Sequence, residues 1–366
     1  MKVADVVKQL EAIAPPHMAE AWDNVGLLVG DPAADVARAM LCIDYTAAVA
    51  DEAKAAGRDF VLAYHPPIFK PIKRFTSVGG SSVIFDAARR GVTIYSPHTA
   101  LDVADGGTND VLADIFGLVD RRPLRPSEPK SSECKLVTFV PHDKANAVAE
   151  ALFAAGAGHI GDYSHCSFRT DGHGTFFGEK GANPAAGEAG RLETTSEIKI
   201  ETVLPLAKVS DAIAALKKAH PYETPAFDLV SLAAPPTGTG IGRVGTLTAP
   251  TARQTLFDTL KAGLGIDRLL IAGPTSGSAM TVAVCAGACG EFLDDALAAE
   301  ADVYVTGEMR HHDALRAAAA GMTVVCTLHS HSERVTLRRL LPKLAERMPA
   351  MEWQLSITDK DPFSIS

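Results

Sequence analysis

Apolar positions alternate with polar ones in two rhythms along this chain, and the rhythm changes twice. In the first 118 residues the spacing predicts a helix over 3–13, a buried strand over 37–45, and a helix capped by Thr46 that runs to Ala56. A strand over 59–64, a helix over 82–90 ending at Gly91, a strand over 92–96 and a helix over 108–116 follow. Strands separated by single helices imply βαβ units and a mainly parallel sheet. Residues 119–133 are then polar and proline-rich, which marks a linker. Beyond them the order is strand (134–140), helix (145–155), strand (163–169), strand (175–178), a glycine-rich stretch, strand (197–204), helix (209–219) and strand (226–232). That order is a split βαβ unit of ferredoxin-like type. A second linker, 233–240, returns the chain to the first rhythm. Strands are expected over 268–272, 280–285, 302–306 and 323–328, with helices over 292–299, 313–320 and 333–347. The fold class expected is α/β. A main domain is formed by both halves of the chain, 1–128 and 236–366, and an α+β domain, 134–232, is inserted between them.

Length and composition narrow this picture without changing it. The chain has 366 residues, 47% hydrophobic and 22% charged, ordinary globular usage with ample material for a core. Thirty-five Lys and Arg against 44 Asp and Glu leave a net charge of −9, which argues against a protein that coats nucleic acid or anionic lipid. Six cysteines without a paired CxxC motif make neither a disulfide framework nor a cysteine-rich zinc site. The opening residues carry charges throughout and no apolar run reaches membrane-spanning length, so a soluble, cytoplasmic protein is expected.

Four segments that could carry chemistry each sit just beyond an expected strand, where open α/β folds bind ligands. In the first, Tyr64 and His65 precede two prolines that stiffen the turn. His65 is a candidate metal ligand or acid–base group, against the bland alternative of an imidazole satisfied by a backbone carbonyl. Lys70, Lys73 and Arg74 follow; they form either a phosphate-binding loop or a solvated basic one. In the second, His98 and Asp102 are four residues apart, nitrogen and oxygen ligands of the kind that suit zinc, manganese or iron; Asp102 is alternatively a helix cap. In the third, His329 and Glu333 form an H-x-x-x-E pair that a helical turn brings to one face; here the alternative is Ser332 as a cap with a favourable Glu333 in the first turn. His331 points elsewhere by spacing and is expected in solvent. The fourth, at 305–315, holds Glu308, Arg310, His311 and His312. Taken together, these strand ends point to a divalent-metal site suited to water activation or to polarising a carbonyl or phosphate. Nucleotide-binding loops and the serine-nucleophile elbow are absent from the sequence. Cys285 and Cys289 read as small buried thiols rather than a redox pair.

The segments WDNVGLLVG, YHPPIF, SPHTALDVADGGTND, VTGEMRHHDAL and LHSHSER occur in order from residue 22 to about 340. Together they resemble the Nif-three-like family of dinuclear metal-centre proteins, also called GTP cyclohydrolase 1 type 2 homologs. GHIGDYSHCSF, GANPAAGEAG and HPYETPAFDL in the insert are similar to the PII- or CutA-like domain of its longer members. The resemblance implies metal ligands at His65, Asp102, His329 and Glu333, with Glu333 bridging two ions, and a homohexamer built as a trimer of dimers. Tyr64 stands where many bacterial members have a second histidine. A neutral phenol is a poor ligand, so one tight ion and a second, weaker one are expected. On this reading the protein is a metal-dependent hydrolase of a nucleotide-like small substrate, with His98 or Glu308 moving protons and Lys73, Arg74 or Arg310 holding anionic groups. A metal-binding scaffold or regulator that senses a small ligand or protein partner through the insert is the alternative.

Overall fold

The computed structural model describes residues 1–127, 130–185, 187–233 and 238–364. Parts of the two expected linkers (128–129 and 234–237) and Ala186 of the glycine-rich stretch lie outside them. Two compact units emerge, one made of Met1–Ser127 with the chain from Gly238 onward, the other of the segment between.

The first unit holds two mixed sheets rather than one mainly parallel sheet. One runs in the order Gly26–Val29, Thr93–Ser96, Phe60–Ala63, Arg38–Cys42, Glu352–Leu355. Its last four strands are parallel neighbours and Gly26–Val29 joins antiparallel at the edge. The other runs Leu270–Ala272, Thr323–Cys326, Val303–Thr306, Ser278–Cys285, Arg243–Ala252, Val119–Arg122, with three parallel strands flanked by antiparallel ones. The expectation failed at the edges. Val119–Arg122 is exposed along its whole length and pairs with Arg243–Ala252 through backbone groups alone, so no apolar alternation announces it. Arg125–Pro126 likewise pairs with Gly240–Ile241. The stretches expected to be linkers are therefore partly strand.

Helix His329–Arg347 packs into two of the hydrophobic cores of this unit. Leu337, Leu340 and Leu344 enter the core that holds Leu41, Leu62 and Tyr64, while Val335 enters the core of Val282, Val305 and Val325. Spacings of three, four and seven residues give one helix two apolar stripes. The helix begins at His329, four residues earlier than its hydrophobic rhythm predicts, because that first turn carries His, Ser and Glu.

In the second unit the strands lie in the order Phe227–Ala233, Lys130–Pro141, Leu192–Pro205, Phe168–Phe177, every neighbour antiparallel. Numbered along the unit this is 4-1-3-2, with helices Ala145–Ala154 and Val209–Ala219 between strands: the split βαβ arrangement. The two short strands expected over 163–169 and 175–178 are one long strand, since Gly172 and Gly174 interrupt the pattern but not the pairing. No helix among the described residues is long and apolar enough to cross a membrane.

Within the first unit a buried ion pair ties residues flanking the insert. Arg243, 5% exposed, donates from Nε and Nη2 to Asp110 at 2.7 and 3.0 Å, and from Nη1 and Nη2 to the carbonyls of Gly240, Gly242 and Val103. Removing Arg243 leaves a half-buried Asp110 carboxylate and the carbonyls of Gly240, Gly242 and Val103 without this donor. Arg243→Ala is therefore expected to cost about 3–5 kcal/mol in urea unfolding; a loss below about 1 kcal/mol would show the pair to be dispensable.

Candidate metal centre

The strand ends Ala63 and Cys326 and the first turn of helix His329–Arg347 bring His65, His329 and Glu333 together: one ligand atom from each lies within 4.8 Å of the others. His329 and Glu333, four apart, share a helix face. Leu328 precedes them at φ 69°, ψ 153°, a backbone region that is nearly glycine-only. The strand is thus turned abruptly into the helix, and His329 becomes its first residue.

The Glu333 carboxylate is buried between two imidazoles. His329 Nε2 stands 3.2 Å from Oε1, and His65 Nε2 stands 3.2 Å from Oε2. Each imidazole is gripped from behind at Nδ1 by another carboxylate, His65 by Asp44 at 2.9 Å and His329 by Glu308 at 2.6 Å. This is how ligating histidines are oriented: the outer hydrogen bond fixes the ring and leaves Nε2 facing inward. The His65 hydrogen bond runs to Oε1 at 3.4 Å; Oε2, though 3.2 Å from the same nitrogen, is out of line for a hydrogen bond and is buried without one, so it is an acceptor that a cation can satisfy. Across from it, Gly287 keeps the space clear. A Cβ there would stand 3.2 Å from Glu333 Oε1 and 3.6 Å from His329 Nε2. Two imidazoles and one carboxylate fit a divalent ion such as zinc, one donor short of a tetrahedral set.

Electrostatics follow the same geometry. Burial opposes the His65 cation, yet hydrogen bonds to Asp44 and Glu333 outweigh it and raise its pKa to about 10. The hydrogen bond to Glu333 lifts His329 to about 9 against the cost of burial. Burial opposes the Glu333 carboxylate too, but hydrogen bonds from His329 and His65 hold it down to about 2.

Other expected residues have different partners. Asp102 lines the same cleft but stands outside the trio. Its Oδ1 accepts a hydrogen bond from the Tyr64 hydroxyl, which also contacts Thr108 Oγ1 at 2.9 Å. Tyr64, expected as a weak ligand, is fully buried; burial and the Asp102 charge push its phenol well above the usual range, so it acts as a neutral donor that positions Asp102. Burial raises Asp102 itself to about 6. His98 sits with its ring 5.2 Å from that of His65, and its Nδ1 is held by Asp23 at 2.8 Å. Asp23 also accepts from Thr99 N and Oγ1. Lys73 and Arg74 are exposed, as is Arg310 at the start of helix His311–Ala319, and none of the three lines the cleft. The basic side chain that does line it is Arg125, in the stretch expected to be a linker, because its partner Asp295 is 170 residues away in sequence. His331 is half-buried and bonded to the Thr327 carbonyl rather than free in solvent. Glu308, a candidate proton carrier, serves here as the outer support of His329. Asp23 and Asp44 were missed: an aspartate beside a loop or cap has an adequate local reading, and only the fold shows which histidine it faces.

Two outcomes are expected. Asp44→Asn and Glu308→Gln should each weaken zinc binding by about 10–100-fold in a chelator competition, while Lys73→Ala should leave it unchanged. Both histidines of the metal-free protein have folded-state pKa values above their unfolded value near 6.5. Their charge therefore stabilises the metal-free fold fully below about pH 6.5, and this contribution is lost as pH rises through about 9 to 10. Metal must displace those protons at pH 7. Calorimetry in buffers of different ionisation heat should show about two protons released per ion; release of none would mean that the imidazoles are not ligands.

Comparisons with known proteins agree with this architecture. The family model for Duf34/NIF3 (NGG1p interacting factor 3) matches residues 1–362. A Halalkalibacterium halodurans protein named GTP cyclohydrolase 1 type 2 homolog is 35% identical over 372 residues, covering 100% of both chains. A Mycobacterium tuberculosis protein of the same name is 38% identical over 317 residues, covering 86% of this chain and 83% of that one. Among solved structures, a Bacillus cereus protein related to NIF3 is 32% identical with a TM-score of 0.68, covering 100% of this chain and 99% of that one. A Staphylococcus aureus protein is 27% identical with a TM-score of 0.74 and the same coverage. With a family model spanning nearly its whole length and relatives above 30% identity, the chain belongs to the Duf34/NIF3 family.

Proposed function

We propose that this protein is a divalent-metal-dependent hydrolase of a small, nucleotide-like substrate. The observation that carries this reading is the buried Glu333 carboxylate between two imidazoles, each backed by its own carboxylate, at the bottom of a cleft of about 320 Å³. A divalent ion held by His65, His329 and Glu333 would supply Lewis-acid polarisation and water activation. The name shared by the curated relatives points the same way. Asp102 is the natural further ligand for a second ion, and because its Oδ1 is already engaged by Tyr64 that ion is expected to bind more weakly.

The remaining residues of the cleft have roles that follow from their partners. Asp23 holds Nδ1 of His98 at 2.8 Å, which leaves Nε2 as the ring nitrogen available for proton transfer in the cleft. Trp22 and Phe69, with ring centroids 5.9 Å apart, line the cleft with half-exposed aromatic surface, a surface on which a flat heterocycle can stack. Arg125 is held by Asp295 and by the Glu291 carbonyl through Nε and Nη2, with its guanidinium 4.4 Å from the Phe292 ring centre. Among the described residues Nη1 has no hydrogen-bond partner, which suits it to an anionic group of the substrate.

The test is turnover. Protein loaded with zinc or manganese is expected to hydrolyse at least one member of a panel of GTP-type nucleotides and cyclic phosphodiesters. Glu333→Ala should abolish both metal retention and turnover. Arg125→Ala should raise KM about tenfold with little change in kcat, the signature of lost uniform binding. Fully loaded protein that turns over none of the panel would sink the hydrolase reading and leave a metal-binding scaffold in its place.

A further inference from the structure

The inserted unit has a cavity of its own, about 630 Å³, on the face of its sheet away from the helices. Period-two alternation along Leu192–Pro205 sends Ile198 and Ile200 into the helix-covered core and turns Thr195, Glu197 and Lys199 to the other face. On a bare sheet face these side chains would be wet. Glu197 is instead only 8% exposed, and its neighbours explain why the space beside it stays open. The adjacent strand places Gly172 opposite Glu197 and Gly174 opposite Thr195. Glycine inside a strand weakens it and often marks close approach of another group. A Cβ on Gly174 would stand 2.5 Å from Glu197 Oε2, so any larger residue there would close the space in front of that oxygen.

Glu197 is half satisfied. Oε1 accepts from the Tyr222 hydroxyl at 2.7 Å, and among the described residues no donor reaches Oε2. That oxygen opens onto the cavity, where a charged donor would make a stronger hydrogen bond than water does. Two further acidic residues line the cavity, Glu179 and Glu223, while the ammonium of its lysine, Lys199, is turned to Glu201 at 3.2 Å. Phe139, Phe176 and Tyr222 supply apolar and aromatic wall.

We propose that this cavity binds a small organic cation, an amine, amidine or guanidine on an apolar or aromatic body, with Glu197 Oε2 as its anchor. The charged nitrogen meets the carboxylate, and the body packs on Phe139, Phe176 and Tyr222. This site lies wholly within the insert and is independent of the candidate metal centre.

Benzamidine is a suitable probe and benzoate its charge-reversed control, titrated into the full-length protein by calorimetry. Benzamidine is expected to bind and benzoate not. Glu197→Gln keeps the shape and the Tyr222 hydrogen bond but removes the charge, and should weaken benzamidine binding about tenfold or more. Gly174→Ala should do the same by filling the space, and Glu333→Ala should change nothing. Circular dichroism of each variant checks that the fold persists. The assignment is overturned if benzamidine does not bind, if benzoate binds equally well, if neither Glu197→Gln nor Gly174→Ala weakens benzamidine, or if Glu333→Ala abolishes binding.

Discussion

A single carboxylate, that of Glu333, sets the terms for the rest of the candidate centre. Buried and flanked by two imidazoles, it needs a positive partner at all times, either two imidazolium protons or a cation. Everything around it serves that need. Asp44 and Glu308 hold the imidazoles from behind, Gly287 leaves room in front, and the turn at Leu328 puts His329 one helical turn from Glu333. The helix that carries both residues is anchored in two hydrophobic cores, so the carboxylate is placed with the rigidity of the interior rather than of a loop.

Much of this was legible in the sequence, because the chemistry sits at strand ends and strand ends can be read. His65 follows the strand-like run 59–64, and His329 follows the run 323–328, so the pattern of the sequence alone points to both histidines. The H-x-x-x-E spacing named Glu333 by helical geometry alone. The second tier was not legible. Asp23, Asp44 and Arg125 lie in segments whose local reading is already complete, as turn, strand end or linker, and their partners are 75, 21 and 170 residues distant. The basic loop at Lys73 and Arg74 misled for the converse reason: nearness in sequence to His65 placed those charges at the cleft, while the loop carries them into solvent.

The fold shows the same division. Buried parallel strands such as Phe60–Ala63 and Val303–Thr306 are continuous apolar runs and were placed to within a residue or two. Edge strands gave no such signal. Val119–Arg122 carries one apolar residue and three charged ones, all exposed, and its place in the sheet depends on the partner Arg243–Ala252, which follows only after the whole insert. The insert itself reads well as strands and helices in order. Its glycines were mistaken for strand breaks when they are gaps in one face of a continuous strand.

The order in which the ligands occur along the chain governs when the centre can exist during synthesis. His65 leaves the ribosome early, but His329 and Glu333 follow more than 260 residues later, and the strand Glu352–Leu355 that borders the first sheet later still. Domains of a nascent chain fold as they emerge, and the insert, contiguous in sequence, can complete its sheet before the main unit does. The core beneath Asp44 and His65 includes Leu337, Leu340, Leu344 and Trp353, so the first half reaches its final packing only when the last segment has been made. Bringing His65 to Glu333, 268 residues away in sequence, closes one of the longest loops the chain can make.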